Sequence, residues 1–186
     1  MKKMLLLFSL LTASGALTAN AAPMVNSQGV IVNPYQTNLQ AQLWLDRDGS
    51  MPEYATGETI RFFAQLNDDA YVYLFNVDSY GRVDLILPNR FSAGEQFVRG
   101  GYQVSFPDQN DGFEFEVAPP RGLNQVILLA SKTPLDFDRV ADFRFGNTYR
   151  TAFADSENEF VDKMSIVLGD VWDEDWVTDT VFYNAY

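Results

Sequence analysis

The sequence predicts a mainly β protein, an antiparallel β-sandwich with one short helix near the C-terminus. Three observations predict this fold class. Aromatic residues make up 15% of the chain and accompany many Val, Ile and Thr residues, a mixture that favours strands. Short segments alternate apolar and polar residues with a period of two, which is typical of half-buried strands. Turn residues separate these segments about every ten positions, as in sandwiches and barrels.

The first strands are predicted between residues 39 and 66. In the segment 39–45, Ala41 and the leucines share one face, and Gln40, Gln42 and Trp44 occupy the other. A loop follows, with turn-forming residues at Asp48 and Gly49. The apolar segment 59–66 is predicted to be the second strand.

A hairpin is predicted at residues 70–87. Tyr71, Tyr73, Phe75 and Val77 share one face of its first strand, and Ala70, Val72 and Leu74 share the other. Since both faces are apolar, this strand is expected to be central and covered on both sides. The segment 78–81 supplies the turn, residues 82–87 form the second strand, and Pro88 ends it because proline cannot donate to a ladder.

The rest of the chain adds three further strands, a helix and a final strand. The strands are predicted at residues 102–106, 113–117 and 124–131, and the final one at 175–186. Ser156 and Glu159 have capping-box spacing, and Phe160, Met164, Val167 and Leu168 then recur on one helical face, which predicts a helix of about ten residues. Residues 39–186 are therefore interpreted as one sandwich domain of general immunoglobulin-like architecture.

The N-terminus has the three parts of a signal peptide. Lys2 and Lys3 precede an apolar stretch, and Ala19-Asn20-Ala21 gives the small-x-small pattern before cleavage. Residues 1–21 are predicted to be removed, and residues 22–38 to be a linker or a short strand. The protein is thus expected to be exported, to the periplasm, the outer envelope or the cell surface.

The charge balance limits the classes of partner. The net charge is −12, and loss of residues 1–21 makes it −14, because that segment contains two lysines and no acid. Such a surface repels nucleic acid and favours a basic partner or a divalent cation. No segment after the leader is apolar and long enough to span a membrane.

The absence of His and Cys excludes several kinds of chemistry. A Ser-His-Asp triad, a thiol nucleophile, a disulfide and an ordinary zinc site are all ruled out. Carboxylate chemistry remains, but no spacing singles out a catalytic pair among the 25 acids. The protein is therefore expected not to be an enzyme.

Two acidic loops make calcium the candidate cation, and no other cofactor is expected. Asp46 and Asp48 lie in one loop, and Asp108 and Asp111 lie in the other, with oxygen ligands near a glycine. The first loop has Gly57 where an EF-hand places its last acid. Hairpin turns rich in Asp and Asn have the same pattern, and the sequence favours turns over calcium.

Aromatic residues in loops and at element ends are candidates for a binding surface. The strongest are Tyr80, Trp172 and Trp176. An exposed cluster of rings would mark such a surface. The alternative is that the two tryptophans cover the edge of the sheet or the helix, and the sequence favours that alternative.

A set of short motifs resembles a known family. The motifs are Leu43-Trp44-Leu45-Asp46-Arg47; Tyr54 with Gly57, Glu58 and Ile60-Arg61-Phe62; Asp69 to Leu74; Val77-Asp78, Gly81-Arg82-Val83 and Leu87-Pro88-Asn89; Phe106-Pro107; and Ala130 to Leu135. Over about residues 41–136 the chain resembles the bacterial domain of unknown function family 4384. Residues 137–186 lie outside the resemblance.

The resemblance implies a small β-rich module of exported and envelope proteins, and it carries over no catalytic residue. We therefore expect a non-enzymatic structural or protein-binding subunit of the bacterial cell envelope or surface layer. Its expected partner is an envelope or surface-layer protein. The alternative is a glycan-binding accessory module.

Overall fold

The computed structural model describes residues 24–25, 31–33, 36–89, 97–140 and 151–186. Their strands are β1 (Met24–Val25), β2 (Ile31–Val32), β3 (Ala41–Leu45), β4 (Glu53–Tyr54), β5 (Thr59–Ile60), β6 (Phe62–Leu66), β7 (Ala70–Val77), β8 (Val83–Leu87), β9 (Phe97–Val98), β10 (Gln103–Phe106), β11 (Phe115–Glu116), β12 (Gly122–Ser131), β13 (Thr151–Ala154) and β14 (Trp176–Ala185). The helix α1 spans Glu157–Leu168, and single 3-10 turns lie at Phe137–Arg139 and Asp173–Asp175. The predicted signal peptide, residues 1–21, lies outside the described residues.

Seven strands form the large sheet, in the order β13-β8-β7-β12-β14-β4, with β9 beside the start of β7. Three strands, β10-β6-β3, form a second sheet, and β11 and β5 form a short ribbon. The pairs are antiparallel except that β14 and β4 are parallel. The prediction of a mainly β fold with antiparallel sheets and one short helix near the C-terminus is confirmed.

The first apolar core lies between the two larger sheets. Val72 and Leu74 of β7 and Leu128 of β12 are fully buried there. They belong to one cluster with residues of the three-stranded sheet, including Phe62 and Leu66. This cluster makes the two sheets a sandwich, because each sheet buries its apolar face against the other.

The second apolar core covers the opposite face of the large sheet. Tyr73 and Phe75 of β7 are buried there with residues of α1, including Phe160 and Met164. The predicted hairpin strand is therefore central and covered on both faces. The large sheet is the middle layer, and α1 forms a third layer that a simple two-sheet sandwich lacks.

The helix begins at the predicted capping box. Ser156 Oγ accepts a hydrogen bond from the Glu159 backbone N–H at 3.2 Å, and Glu159 Oε2 accepts one from the Asp155 N–H at 2.9 Å. These bonds satisfy backbone donors that a helix N-terminus otherwise leaves unpaired. The face of α1 predicted to be buried is buried.

Several elements differ from their sequence-based predictions. The predicted strand at 59–66 is divided at Arg61, because β5 pairs with β11 while β6 pairs with β3 and β10. The loop predicted after Asp48 contains β4, which joins the large sheet through the end of β14. The strand β13 was not predicted, and it forms the outer edge of the large sheet beside β8.

The segment predicted as a linker or short strand contains β2, which pairs with β1. Asn33, just after β2, donates from its side chain to the Trp176 carbonyl at 2.8 Å. Within the described ranges, no helix has both the length and the apolar character needed to cross a bilayer.

One carboxylate joins the two sheets, and its removal is expected to destabilise the fold. Asp179 Oδ2, on β14, accepts a hydrogen bond at 2.7 Å from the backbone N–H of the buried Leu43 on β3. Asp179→Ala leaves that donor unpaired and is expected to lower the free energy of unfolding by about 1–3 kcal/mol. Urea denaturation measures the loss, and Asp179→Asn, which keeps an oxygen acceptor, should lose less. Equal losses in both variants would contradict the assignment.

Candidate functional site

An open cleft of about 800 Å³ lies between one end of the large sheet and the segment that carries β11. One wall is the segment 111–119, all nine residues of which line the cleft. The facing wall is the β7–β8 hairpin, with Asn76, Asp78, Asp84 and Ile86. This volume lies within the range of ligand-binding clefts.

Strand alternation explains how the sequence builds the β11 wall. Phe113, Phe115 and Val117 are buried, whereas Glu114 and Glu116 between them are exposed. Successive side chains of a strand point to opposite faces, so the phenylalanines pack into the core and the glutamates stand at the rim. Phe115 packs against Phe62, with ring centroids 5.6 Å apart, and this contact fixes the apolar part of the cleft.

The facing wall is positioned by the hairpin turn. Asp78 Oδ1 accepts a hydrogen bond from the Tyr80 backbone N–H at 2.8 Å, and Gly81 has a φ of +80°, which favours glycine. Asp78 also forms an ion pair with Arg82 at 2.6 Å. Asn76 and Asp84 are direct cross-strand partners in the register of β7 and β8. The turn therefore brings two carboxylates and an amide to one wall.

The described residues that line the cleft are strongly acidic. They include Asp78, Asp84, Asp111, Glu114 and Glu116, and none of them is Lys or Arg. A concave surface that carries charges of one sign concentrates the electrostatic field and attracts the opposite charge. Arg82 neutralises Asp78, and the other four carboxylates leave the cleft with an excess of negative charge.

Polar groups on the floor are held by bonds within the protein. Tyr183 Oη donates to Asn76 Oδ1 at 3.1 Å. Asn124, which is 2% exposed, donates from its amide to the Gly122 carbonyl at 3.0 Å. Buried polar groups need such partners. These hydrogen bonds hold the polar part of the cleft floor in place beside the aromatic part formed by Phe62 and Phe115.

Three of the four aspartates predicted as calcium ligands, Asp46, Asp108 and Asp111, accept hydrogen bonds within the protein. Asp108 Oδ1 accepts from the Asn110 N–H at 3.0 Å, and Asp111 Oδ2 accepts from the Asp108 N–H at 2.8 Å. Asp46 Oδ1 accepts from Tyr54 Oη at 2.6 Å, and Asp48 lies exposed in the same loop. Across the described ranges, no three acidic side chains are grouped as a metal centre would require. Of the four, only Asp111 lines the cleft.

The bond between Tyr54 and Asp46 predicts a loss of stability in alkali. Burial raises the pKa of the fully buried Tyr54 phenol well above its usual value near 10, and the hydrogen bond to Asp46 raises the pKa further. The folded protein therefore keeps this phenol neutral where the unfolded chain ionises it. This contribution to stability is fully present below about pH 10 and is lost as the pH rises towards the folded-state pKa.

Tyr54→Phe should remove this component of the pH dependence. The variant is expected to start about 1 kcal/mol less stable, because it lacks the bond to Asp46. Its free energy of unfolding should then fall less steeply than that of the wild type between about pH 9 and 11. Denaturant titrations at several pH values measure both slopes, and equal slopes would refute the assignment.

The predicted aromatic residues have different environments. Tyr80 is 76% exposed in the hairpin turn beside the cleft wall, and Trp172 is 69% exposed before the 3-10 turn at Asp173–Asp175. Trp176 is only 1% exposed and belongs to the second core, between the large sheet and α1. Trp176, a candidate for the exposed surface, is therefore buried, which agrees with the alternative that the sequence favoured, because β14 begins there and directs its ring inward.

Sequence reasoning missed most of the cleft. Glu114 and Glu116 belong to the segment predicted as a clean strand, and their outward positions follow from that alternation. Asn76, Asn124 and Tyr183 carry no local signal, because they come from three strands that meet only in the folded sheet. Residues 76–86 and 111–119 face each other only in the folded protein, so no local pattern predicts the cleft between them.

The fold and the site together define a mainly β module with an open acidic cleft. Residues 53–134 match the family described as Domain of unknown function (DUF4384). The resemblance drawn from the sequence motifs is confirmed over this range, while the motif at 43–47 precedes it. The cleft-lining residues other than Tyr183 lie within the matched segment. No curated protein and no solved structure matches the chain.

Proposed function

We propose that this protein is an exported, non-enzymatic module that serves as a structural or protein-binding subunit of the bacterial cell envelope or surface layer. The observation that carries the proposal is the acidic cleft, with five carboxylate residues and no Lys or Arg among the described residues that line it. A basic partner complements such a surface, since opposite potentials steer and orient protein association.

Export is supported by the residues that precede the described strands. The basic start, the apolar stretch and Ala19-Asn20-Ala21 form the pattern of a cleaved leader. The resemblance drawn from the sequence motifs implies a module of exported and envelope proteins, which supports that destination. The proposal therefore places the protein in the periplasm, at the outer envelope or at the cell surface.

A binding role, in place of catalysis, is supported by the chemistry of the cleft. The chain contains no His and no Cys, so the carboxylates and the Tyr183 phenol, which donates to Asn76, are the remaining acid or base candidates there. Asp78 is engaged by Arg82 and by its own turn, and Asp111 caps the Asp108 N–H. These carboxylates shape the walls of the cleft and give it charge.

The test is to recover the partner from native envelope material. The mature protein is immobilised and incubated with detergent-solubilised envelope, with and without chemical crosslinking, and bound proteins are quantified. We expect one envelope protein at near-equal molar amount. Its capture should weaken as ionic strength rises from about 0.05 M to about 0.5 M, because salt screens surface charge. Failure to capture any envelope protein at either ionic strength would overturn the proposal.

The alternative is a glycan-binding accessory module, favoured by the exposed rings of Tyr80 and Trp172. Aromatic rings with one free face suit the apolar faces of sugars. Retention on purified peptidoglycan or envelope polysaccharide, lost in Trp172→Ala or Tyr80→Ala at unchanged stability, would support this alternative. Unchanged retention in both variants would show that neither ring contributes to glycan binding.

A further inference from the structure

The strand β11 has a strand neighbour on one side only among the described residues. It pairs with β5, in a register that aligns Phe115 with Ile60 and Glu116 with Thr59. The segment that carries it lines the cleft along its whole length, from Asp111 to Pro119. The segment of β11 therefore borders the cleft, and its side away from β5 has no described strand beside it.

The hydrogen bonds of the ribbon show which backbone groups face the open side. The Val117 N–H donates to the Glu58 carbonyl at 2.9 Å, so the backbone polar groups of Val117 point towards the β5 side. Backbone groups of successive strand residues point to opposite edges. The N–H and carbonyl of Glu116 consequently point away from β5. An edge of this kind can accept another strand.

The side chains of the same segment add a charge pattern with a period of two. Glu114 and Glu116 are exposed on one face, about 7 Å apart by strand geometry, and Phe113 and Phe115 point into the core. A strand placed beside β11 would set alternate side chains opposite the two glutamates. Opposite charges stabilise such cross-strand pairs.

We propose that an extended segment of the envelope partner, with Lys or Arg at alternate positions, adds to β11 as a further strand in the cleft. This inference rests on the proposed function and specifies its binding site. Two basic side chains pair with Glu114 and Glu116, and backbone hydrogen bonds form at Glu116. The partner is thus expected to offer an extended basic segment rather than a basic patch on the surface of a folded domain.

The first test uses synthetic peptides. The alternating peptide acetyl-Thr-Lys-Val-Lys-Val-Lys-Thr-amide is compared with its isomer acetyl-Lys-Lys-Lys-Thr-Val-Val-Thr-amide, which has equal charge and composition. Fluorescence anisotropy against the mature protein measures both affinities. The alternating peptide should bind about fivefold more tightly or better. Equal affinities would show that binding depends on net charge alone, and they would overturn the inference.

Backbone methylation separates strand addition from side-chain attraction. In an antiparallel addition the residue opposite Glu116 forms a hydrogen-bonded pair, so its N–H points to β11. N-methylation of the lysines in the alternating peptide should therefore weaken binding about tenfold. N-methylation of the valines, whose N–H groups point away, should change it little. Equal effects of the two methylations would overturn strand addition.

The protein variants use a matched control for charge. Glu114→Gln with Glu116→Gln removes two charges from the rim, and Asp162→Asn with Glu174→Gln removes two exposed charges that do not line the cleft. Only the first double variant should bind the alternating peptide more weakly, by about fivefold or more in affinity. The urea concentration at the midpoint of unfolding should be the same in both double variants and in the wild type. Equal weakening in both would overturn the site.

The same variants distinguish this inference from the function on which it rests. If Glu114→Gln with Glu116→Gln captures the envelope partner as well as the wild type does, the binding site is wrong and the proposed function stands. If the wild type captures no envelope protein, the proposed function fails, and this inference fails with it.

Discussion

Trp176→Ala is expected to lower the free energy of unfolding by about 3–5 kcal/mol, the usual cost of truncating a large buried aromatic residue. Trp176 is 1% exposed, begins β14 and is aligned with Ser131 of β12. Its ring belongs to the core shared with α1. Removing the ring leaves a cavity between the large sheet and the helix, into which the surrounding side chains relax only in part.

The matched control is Trp172→Ala, four residues earlier. Trp172 is 69% exposed, so its loss is expected to change stability by no more than about 0.5 kcal/mol. Urea denaturation followed by far-ultraviolet circular dichroism measures both variants on one scale. A Trp176→Ala variant as stable as Trp172→Ala would show that β14 does not direct that ring into the core.

Phe75→Ala is expected to lower the free energy of unfolding by a similar amount, about 3–5 kcal/mol. Phe75 is fully buried at the middle of β7. Its ring lies 4.8 Å from that of Phe160, 5.3 Å from that of Phe153 and 5.8 Å from that of Phe137, centroid to centroid. These rings pack the large sheet, including its edge strand β13, against α1 and the 3-10 turn at Phe137–Arg139, so the truncation should loosen the helical layer first.

Phe97→Ala provides the comparison for this residue. Phe97 is 52% exposed on β9, with its ring 5.2 Å from that of Tyr71, and its truncation should cost about 1 kcal/mol or less. Hydrogen exchange should show faster exchange in α1 for Phe75→Ala and no such change for Phe97→Ala. Unchanged protection of α1 in Phe75→Ala would contradict the packing of the helix on this ring.

The strongest local patterns predicted their elements correctly. Alternation over residues 70–77 identified β7 and its two buried faces, and the capping box at Ser156 placed the start of α1. In both cases the residues that carry the signal are also those that make the contacts. Local propensity and tertiary packing then lead to the same structure.

The errors arose where a neighbour distant in the chain decides the outcome. The strand predicted at 59–66 is split because its two halves pair with different partners. Trp176 was a candidate for a binding surface because it lies at the end of an element, and the pairing of β14 with β12 places it at the start of the final strand. It belongs to the core shared with α1, whose members are distant in the chain, so no local pattern identifies that core.

The candidate site could be predicted only in part for the same reason. The alternation of residues 113–117 indicates that Glu114 and Glu116 point outward, but it does not show what lies across from them. The opposite wall comes from β7 and β8, and Tyr183 comes from β14, outside the segment that matches the family. The cleft therefore depends on the last strand of the sheet as well as on the matched segment.

The most direct test of the central claim, that the acidic cleft binds a partner in the envelope, is photocrosslinking in living cells. A photoreactive residue replaces Ala118, which lines the cleft beside β11, in one variant and Asp162, on the exposed side of α1, in another. Illumination is predicted to give one adduct with an envelope protein from position 118 and none from position 162. The absence of an adduct at position 118, or identical adducts at both positions, would contradict the account.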